Sequence, residues 1–355
     1  MNKKKLLVLG NYNAGNIGDD LLMSSIKSNI RKYLPNYQVD FVSPGKPNDY
    51  FIFPTGIRSF LRMNWIRTIY AFYKSDVLVL GGGGLLNPEE RKSLLVWGVQ
   101  IIAAKFFNLQ VICLANSFPF SNSKFYRYLL KKIDFFTVRD SYSYNFLNKL
   151  ELKVPIKLTA DLAFIADLTS YVDSQLEFDT DKFLVLNLRT YKHIDSRLQE
   201  EIYLELVEYI TKNTNYSLYL LPFAKDDSLF LRHLNNLTKD NGRVFLLPFE
   251  KDVLFTALSR SVLTISQRLH PNIVSLCYGK PTIALSYSSK VVSLLNDFTD
   301  IRIFDLTSTI KVDDIISAID FQLKTSASSY DSAQAIKDNK KRAEMNFSLL
   351  KSYLE

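Results

Sequence analysis

Arg268 and His270 stand two residues apart between an apolar run at 262–266 and an apolar helical stretch at 273–278. A strand that hands over to a helix is where open α/β sheets bind ligands, in the crevice beyond the strand carboxyl ends. The free N–H groups of a first helical turn favour anions at such a place. Pro271 fits that turn because it has no N–H to leave unpaired. Arg268 offers a planar fork for a phosphate or carboxylate, and His270 is one of only three histidines in the chain. The pair therefore suggests an anion site with an acid/base group beside it. The same residues also fit an arginine that caps a neighbouring helix and a histidine that is merely half buried, and both readings stand on these residues alone.

Other charged groups fall at equivalent strand ends. Arg139-Asp140 follow the run 135–138; Asp140 is placed to cap the next helix, which leaves Arg139 to point into the crevice. Arg189 closes the run 183–188, Asp226-Asp227 follow 221–223, and Lys290 follows 286–289. Three arginines, a histidine and a lysine aimed at one crevice would make a cationic pocket whose guest is a small polyanion. Two glycine-bearing loops lie nearer the start. The first, 10–20, carries Asn16, Gly18 and Asp19; the second, Gly81-Gly82-Gly83-Gly84, ends the strand 77–80 and exposes backbone N–H groups to an anion or a flat ligand. Neither loop has the spacing of a dinucleotide fingerprint or of a Walker loop, so a nucleotide cofactor is disfavoured. No His, Cys or carboxylate cluster has metal-ligand spacing, and no Ser-His-Asp signature is present. His193 and His233 lie in polar segments and are expected to be exposed.

The elements that must position these groups alternate from end to end. Runs at 5–10, 38–42, 77–80, 110–115 and 135–138 predict buried strands, and 20–33, 57–73, 90–107, 124–132 and 141–150 have helical periodicity. A second series of strands follows at 183–188, 217–221, 244–247, 262–266, 281–285 and 302–304. Such βα alternation predicts α/β architecture: parallel sheets with helices on both faces, in two Rossmann-like domains facing across a cleft. The expected division is a first domain at 1–165, a linker at 166–182 where the rhythm stops, a second domain at 183–325, and a C-terminal helix at 326–355 with apolar positions able to pack on either domain.

Composition narrows the class further. A chain of 355 residues with 47% apolar content buries a large core. The basic start, residues 1–5, is followed by an apolar run too short for a signal peptide, and no apolar stretch approaches the roughly 18 residues of a spanning helix. A cytoplasmic protein is expected, with a weak attraction to the inner face of the plasma membrane left open by the net charge of +8. Lysines are spread along the chain and no nucleic-acid-binding signature is found, so nucleic acid is not an expected partner. Cys113 and Cys277 sit in apolar runs and are read as inert packing residues.

In this order, the motifs resemble the polysaccharide pyruvyl transferase family. The resemblance rests on residues 15–19, the strand with Gly81–84, Val138-Arg139-Asp140, Arg189, and above all Ser266-Gln267-Arg268-Leu269-His270 with Gly279-Lys280-Pro281 and the block 286–291. It implies a GT-B-like fold and transfer of the pyruvyl group of phosphoenolpyruvate, as co-substrate and without a cofactor or metal, to two hydroxyls of a sugar or lipid-linked saccharide. It implies Arg139, Arg189, Arg268, Leu269, His270 and Lys290 on the donor, with His270, Arg268 and Arg139 catalytic. Asn16, Gly18, Asp19, Gly82, Gly83 and Gly84 are expected on the acceptor side, and Asp19 or Asp140 is expected to hold His270 protonated. Gln267 and Pro271 depart from the Met and small residue usual in that family, and Ala160-Asp161-Leu162 replaces a frequent Asp-Pro pair. Two competing readings are a GT-B glycosyltransferase with a nucleotide-sugar donor and a silent member that only binds polysaccharide intermediates. The acceptor sugar and the oligomeric state are not legible.

Overall fold

The computed structural model describes residues 3–42, 64–191, 194–287, 289–296, 298, 301–308, 310–324 and 332–355. His193, Ser288 and the expected helical residues 57–63 lie outside them, as does the side chain of Lys290. The chain divides into two compact units, Met1–Ala166 with Asn339–Glu355, and Asp167–Asp338.

In the first unit the order is β1 (Lys5–Leu9), α1 (Ile17–Tyr33), β2 (Gln38–Val42), α2 (Asn64–Tyr73), β3 (Val77–Gly83), α3 (Arg91–Phe106), β4 (Gln110–Asn116), α4 (Lys124–Leu130), β5 (Phe135–Val138), α5 (Ser141–Asn148) and β6 (Ile156–Leu158). The strands pair in parallel in the order β2-β1-β3-β4-β5-β6. Because β2 and β3 lie on opposite sides of β1, right-handed crossovers send α1 to one face and α2 to α5 to the other. Side-chain alternation along β1 agrees: Leu7 and Leu9 join a core with Phe72, Trp97, Ile101, Leu129 and Phe146. Val8 faces the side where α1 presents Ile26 to Gly81.

The second unit runs β7 (Phe183–Asn187), α6 (Ser196–Asn213), β8 (Ser217–Leu220), α7 (Lys225–Leu237), β9 (Val244–Leu246), α8 (Lys251–Arg260), β10 (Leu263–Ser266), α9 (Leu269–Cys277), β11 (Thr282–Ser286), α10 (Ser289–Leu295), β12 (Arg302–Asp305) and α11 (Val312–Lys324). Its parallel sheet has the order β12-β11-β10-β7-β8-β9, which in chain sequence is the order of a dinucleotide-binding sheet. Residues 167–182, expected as a linker, are tied to α8: Asp173 N donates to Thr256 Oγ1 at 2.9 Å, Tyr171 stacks on Phe255 at 4.8 Å, and Arg260 donates to the carbonyls of Asp173, Ser174 and Leu176.

Most expected strands form, with three differences. β6 went unrecognised because it is a three-residue strand, Ile-Lys-Leu, at the sheet edge. β3 runs on through Gly83 where the expected strand stopped at Leu80. α1 begins at Ile17, three residues before the expected start, because Asn16 in extended conformation caps it. Among the described residues no helix is long and apolar enough to cross a membrane.

The last helix, α12 (Ser332–Leu354), packs from Asn339 onward in the first unit. Tyr353 stacks on Phe135 at 4.6 Å and Phe347 on Tyr33 at 6.0 Å. Asn346 is fully buried; its Oδ1 accepts from the hydroxyls of Thr137 and Thr159, and its Nδ2 donates to the Ala160 carbonyl at 3.2 Å. One amide thus joins β5, the chain just beyond β6, and the C-terminal helix. Asn346→Ala is expected to remove these bonds, leaving the two hydroxyls only the Cys113 and Val138 carbonyls as acceptors and depriving the Ala160 carbonyl of its amide donor, and to cost about 1–3 kcal/mol. The check is a lower denaturant midpoint with an unchanged slope.

Candidate active site

In the second sheet the chain order reverses between β7 and β10, so the segments that leave these neighbouring strands diverge to opposite faces and open a crevice. Diverging strand ends also leave backbone groups without ladder partners, and buried ones must find others. Here side-chain amides supply them. Asn187 ends β7 with no solvent exposure; its Nδ2 donates to the Leu221 carbonyl at 2.8 Å, and its Oδ1 accepts from Arg268 N and Ser266 Oγ, both at 3.1 Å. Gln267, also buried, accepts at Oε1 from Arg189 N at 2.8 Å and from Gln199 Nε2 at 2.9 Å.

Asp227 lies at the centre of this network. Its carboxylate, with 0% exposure, accepts from Arg268 Nε at 2.9 and 2.7 Å and from Nη2 at 2.6 Å. It also accepts from the backbone N–H groups of Phe223 and Ala224 at 3.0 and 2.9 Å, at the start of α7. The arginine side chain is only 11% exposed. The expected fork is therefore present but partly committed to a protein carboxylate, and its plane is fixed by it. Arg268 is also the N-cap residue of α9 in extended conformation, so His270 falls in the first turn, half buried, with Nε2 shielded from solvent. Asn272 Nδ2 ties that turn back to the carbonyls of Arg268 and Ser266 at 2.9 and 3.2 Å.

Arg189 lies on the other lip of the same switch point. Its guanidinium carbon is 5.9 Å from the ring centre of Tyr191 and 5.5 Å from that of Tyr287, and the two rings are 4.4 Å apart. Nη1 reaches the Tyr287 hydroxyl at 3.5 Å. Lys290 falls in α10. Arg189, Arg268, Leu269 and His270 thus gather at the carboxyl ends of the two central strands of one sheet.

The first sheet reverses between β1 and β3, where the two glycine loops lie. Tyr12 is buried and donates to the Gly81 carbonyl at 2.6 Å; a Cβ on Gly81 would sit 2.3 Å from that hydroxyl, and one on Gly10 would sit 2.1 Å from the ring. Burial and the Asp19 carboxylate both push the Tyr12 phenol up, which keeps it a donor. Gly82, with φ +72°, presents its bare Cα to Leu22 of α1. Gly81 and Gly82 therefore serve a close approach inside the sheet and not the exposed nest expected of the run. Asn16 accepts from Gly18 N at 3.0 Å as the α1 cap, which accounts for both residues structurally. Asp19 is half buried, takes a hydrogen bond from Asn11 Nδ2 at 3.0 Å, and lies beside Gly83; Gly84 is exposed.

Asp140 caps α5 as expected, accepting from Ser143 N at 2.7 Å and Ser117 Oγ at 2.7 Å. Its carboxylate is thereby engaged within the first unit. Arg139 does not point outward as expected. It is 8% exposed, donates from Nε to Ser117 Oγ at 2.7 Å, and forms a buried ion pair with Asp161. Asp161 follows the unrecognised strand β6 and caps the short turn Leu162–Ile165, so no strand-end signal marked it. Asp227 did carry a signal, since it follows β8, but nothing in the spacing pairs it with Arg268. Asn187, Gln199 and Tyr287 complete the residues that sequence reasoning left unassigned. Among the described residues no group of three or more His, Cys, Asp or Glu could hold a metal ion, and His233 is exposed beside Glu200.

A family model for polysaccharide pyruvyl transferase matches residues 16–289. The chain belongs to that family. No curated protein matches the sequence. Among solved structures it is similar to the UDP-GlcNAc 2-epimerase from Methanocaldococcus jannaschii, with a TM-score of 0.67 and 12% identity over 98% of this chain and 99% of that one. A putative UDP-N-acetylglucosamine 2-epimerase from Listeria monocytogenes gives a TM-score of 0.68 and 12% identity over 100% and 97%. The Neisseria meningitidis enzyme bound to UDP-GlcNAc gives 0.62 and 13% over 98% and 100%. These likenesses establish the fold class, GT-B-like with two Rossmann-like domains.

Removing one partner of a buried ion pair strands the other charge. Asp227→Ala is expected to destabilise the second unit by about 3–5 kcal/mol, while the double variant Asp227→Leu, Arg268→Met loses less. Thermal or denaturant melts of the three proteins check the order.

Proposed function

We propose that the protein transfers the pyruvyl group of phosphoenolpyruvate to two hydroxyls of a sugar in a cell-surface or exopolysaccharide precursor, forming a cyclic ketal and releasing phosphate. Family membership supports the class of reaction. The observation that carries the donor assignment is the convergence of Arg189, Arg268 and the first turn of α9 at the β7/β10 switch point. Phosphoenolpyruvate carries a carboxylate and a phosphate close together, which calls for several fixed cations and free helix N–H groups. Leu269, His270 and Lys290 complete the proposed donor site. Arg139, already paired with Asp161, is assigned the positioning of the β5 end and no donor contact. On the acceptor side, Asp19 with Gly83 and Gly84 is proposed to face the sugar, and Asn16, Gly18 and Gly82 shape that loop.

In the proposed reaction His270, protonated, gives its proton to the methylene carbon, which becomes the methyl group, and C2 becomes electrophilic. The first sugar hydroxyl attacks C2 and returns its proton to His270. The second hydroxyl replaces the phosphate at C2, and its proton leaves with the phosphate. Histidine suits this exchange because its ordinary pKa lies near neutrality.

A nucleotide-sugar reading is the alternative, favoured by one observation: the structural relatives are named for a UDP-sugar reaction. The two readings separate chemically. Run in D2O with an accepted saccharide, the proposed reaction places one deuterium in the ketal methyl, read by mass spectrometry; a product without pyruvate refutes it. His270→Ala is expected to lower turnover by ~10²–10⁴-fold with an unchanged melting temperature, and near-normal turnover would remove the acid/base role. Arg268→Lys is expected to raise KM for phosphoenolpyruvate more than it lowers kcat, because the fork is lost.

A further inference from the structure

Helices α2, α3 and α4 lie on the same face of the first sheet. Phe72 of α2 stacks on Phe107, just past α3, at 6.4 Å, and Gly98 of α3 lies against Leu129 and Phe125 of α4. Their inner sides hold Phe72, Trp97, Ile101 and Leu129 in the core. Their outer sides are unusual for a surface. α3 exposes Leu95 (55%), Ile102 and Phe106 (80%) in addition to its buried side, so it is apolar nearly all round. A helix of that kind is ordinarily covered on both sides. α2 adds Ile66, Tyr70 and Tyr73, and α4 adds Phe125 and Tyr128. Among the described residues these three helices carry eight of the fifteen exposed large apolar or aromatic side chains, so the exposure is concentrated and not scattered.

Charge on the same helices is one-sided. The segments 64–74, 91–107 and 124–132 contain nine Lys and Arg and no Asp or Glu, more than the net +8 of the whole chain. The helices of the second unit are mixed: α6 alone carries Glu200, Glu201, Glu205 and Glu208. Nearby carboxylates are Asp76 just past α2, which accepts from Lys5 N at 2.7 Å, Glu89 and Glu90 ahead of α3, and Asp134, which is paired with Lys105. Two cations stand against the exposed rings: Lys74 Nζ is 5.7 Å from the Tyr70 ring centre and 5.4 Å from that of Tyr73, and Lys132 Nζ is 5.2 Å from that of Tyr128.

From this we infer that the outer face of α2, α3 and α4 is a docking surface for an anionic lipid bilayer. Aliphatic and aromatic side chains enter the acyl boundary, while lysine stems lie along apolar surface and carry their ammonium groups to the lipid phosphates. Complementary charge selects the lipid class. Leu95, Ile102 and Ile66 select lipid over nucleic acid, because single strands are bound by stacking on aromatic platforms, for which aliphatic side chains are unsuited. The inference is independent of the reaction assigned to the chain.

The test is co-sedimentation of the purified full chain with vesicles of phosphatidylcholine alone and of phosphatidylcholine mixed with phosphatidylglycerol. Binding to the mixed vesicles only, weakened by salt, is expected. Leu95→Ser with Phe106→Ser should reduce it roughly tenfold or more, and Lys74→Glu with Lys131→Glu by roughly fivefold per charge, with melting temperatures unchanged because all four side chains are exposed. Four outcomes overturn it: no vesicle binding at low salt; equal binding to both vesicle types; insensitivity to both substitution pairs; or a dimer, or retention of a single-stranded oligonucleotide, lost on Phe106→Ser while vesicles are ignored.

Discussion

A carboxylate with no access to solvent organises the second unit. Asp227 accepts two backbone N–H groups at the start of α7, an amide from Asn187 at 3.3 Å, and the Arg268 fork. A buried charge must be compensated on every side, so this one fixes the segments that leave β7, β8 and β10 in one arrangement. Arg268 is thereby both the counter-ion of the carboxylate and the residue from which α9 starts. The plane of the fork and the position of His270 follow from a single electrostatic requirement. Such preorganisation is what an anion site needs, because the cations are already held before the ligand arrives.

The first unit meets the same topological problem with different chemistry. Its reversal between β1 and β3 is filled by a buried tyrosine whose hydroxyl reaches a strand carbonyl, and glycines at 10 and 81 leave room for it. Farther along the sheet, Arg139 and Asp161 form a second buried ion pair, joined through Ser117 to the Asp140 cap. Both pairs are buried alike, with Arg139 8% and Arg268 11% exposed and neither carboxylate reaching solvent. What separates the two arginines is their place in the sheet: Arg268 follows β10 at the reversal beside β7, whereas Arg139 follows β5, away from the reversal between β1 and β3, and on this place rests the proposed assignment of Arg268 to the ligand and of Arg139 to positioning.

Strand runs, the helix caps at Asp140 and near Asn16, and the junction at Arg268 were legible because each depends on residues close in sequence. Partnerships across the sheet were not. Asp227 and Arg268 are 41 residues apart, and only the strand order brings them together. Asp161 was hidden because β6, with three residues, is too short to show periodicity. The glycine run shows the same limit: bare backbone at a strand end fits an anion nest, but at Gly81 a tyrosine 69 residues away along the chain occupies that space. The one-sided charge of α2, α3 and α4 was present in the sequence, yet it stands out only when the fold places the three helices on one face.

We propose that the β7/β10 crevice of this family member holds phosphoenolpyruvate. Calorimetric titration of the purified protein tests it most directly, with UDP as the competing ligand, on the wild type and on Arg268→Ala and Arg189→Ala. Among the described residues Arg189 pairs with no carboxylate and reaches Tyr287 and the Thr190 carbonyl instead, so the folding of the second variant is a fair control for the first. Saturable heat with phosphoenolpyruvate, weakened in both variants, and none with UDP is expected. Binding of UDP alone would contradict it and place the crevice with the sugar nucleotides.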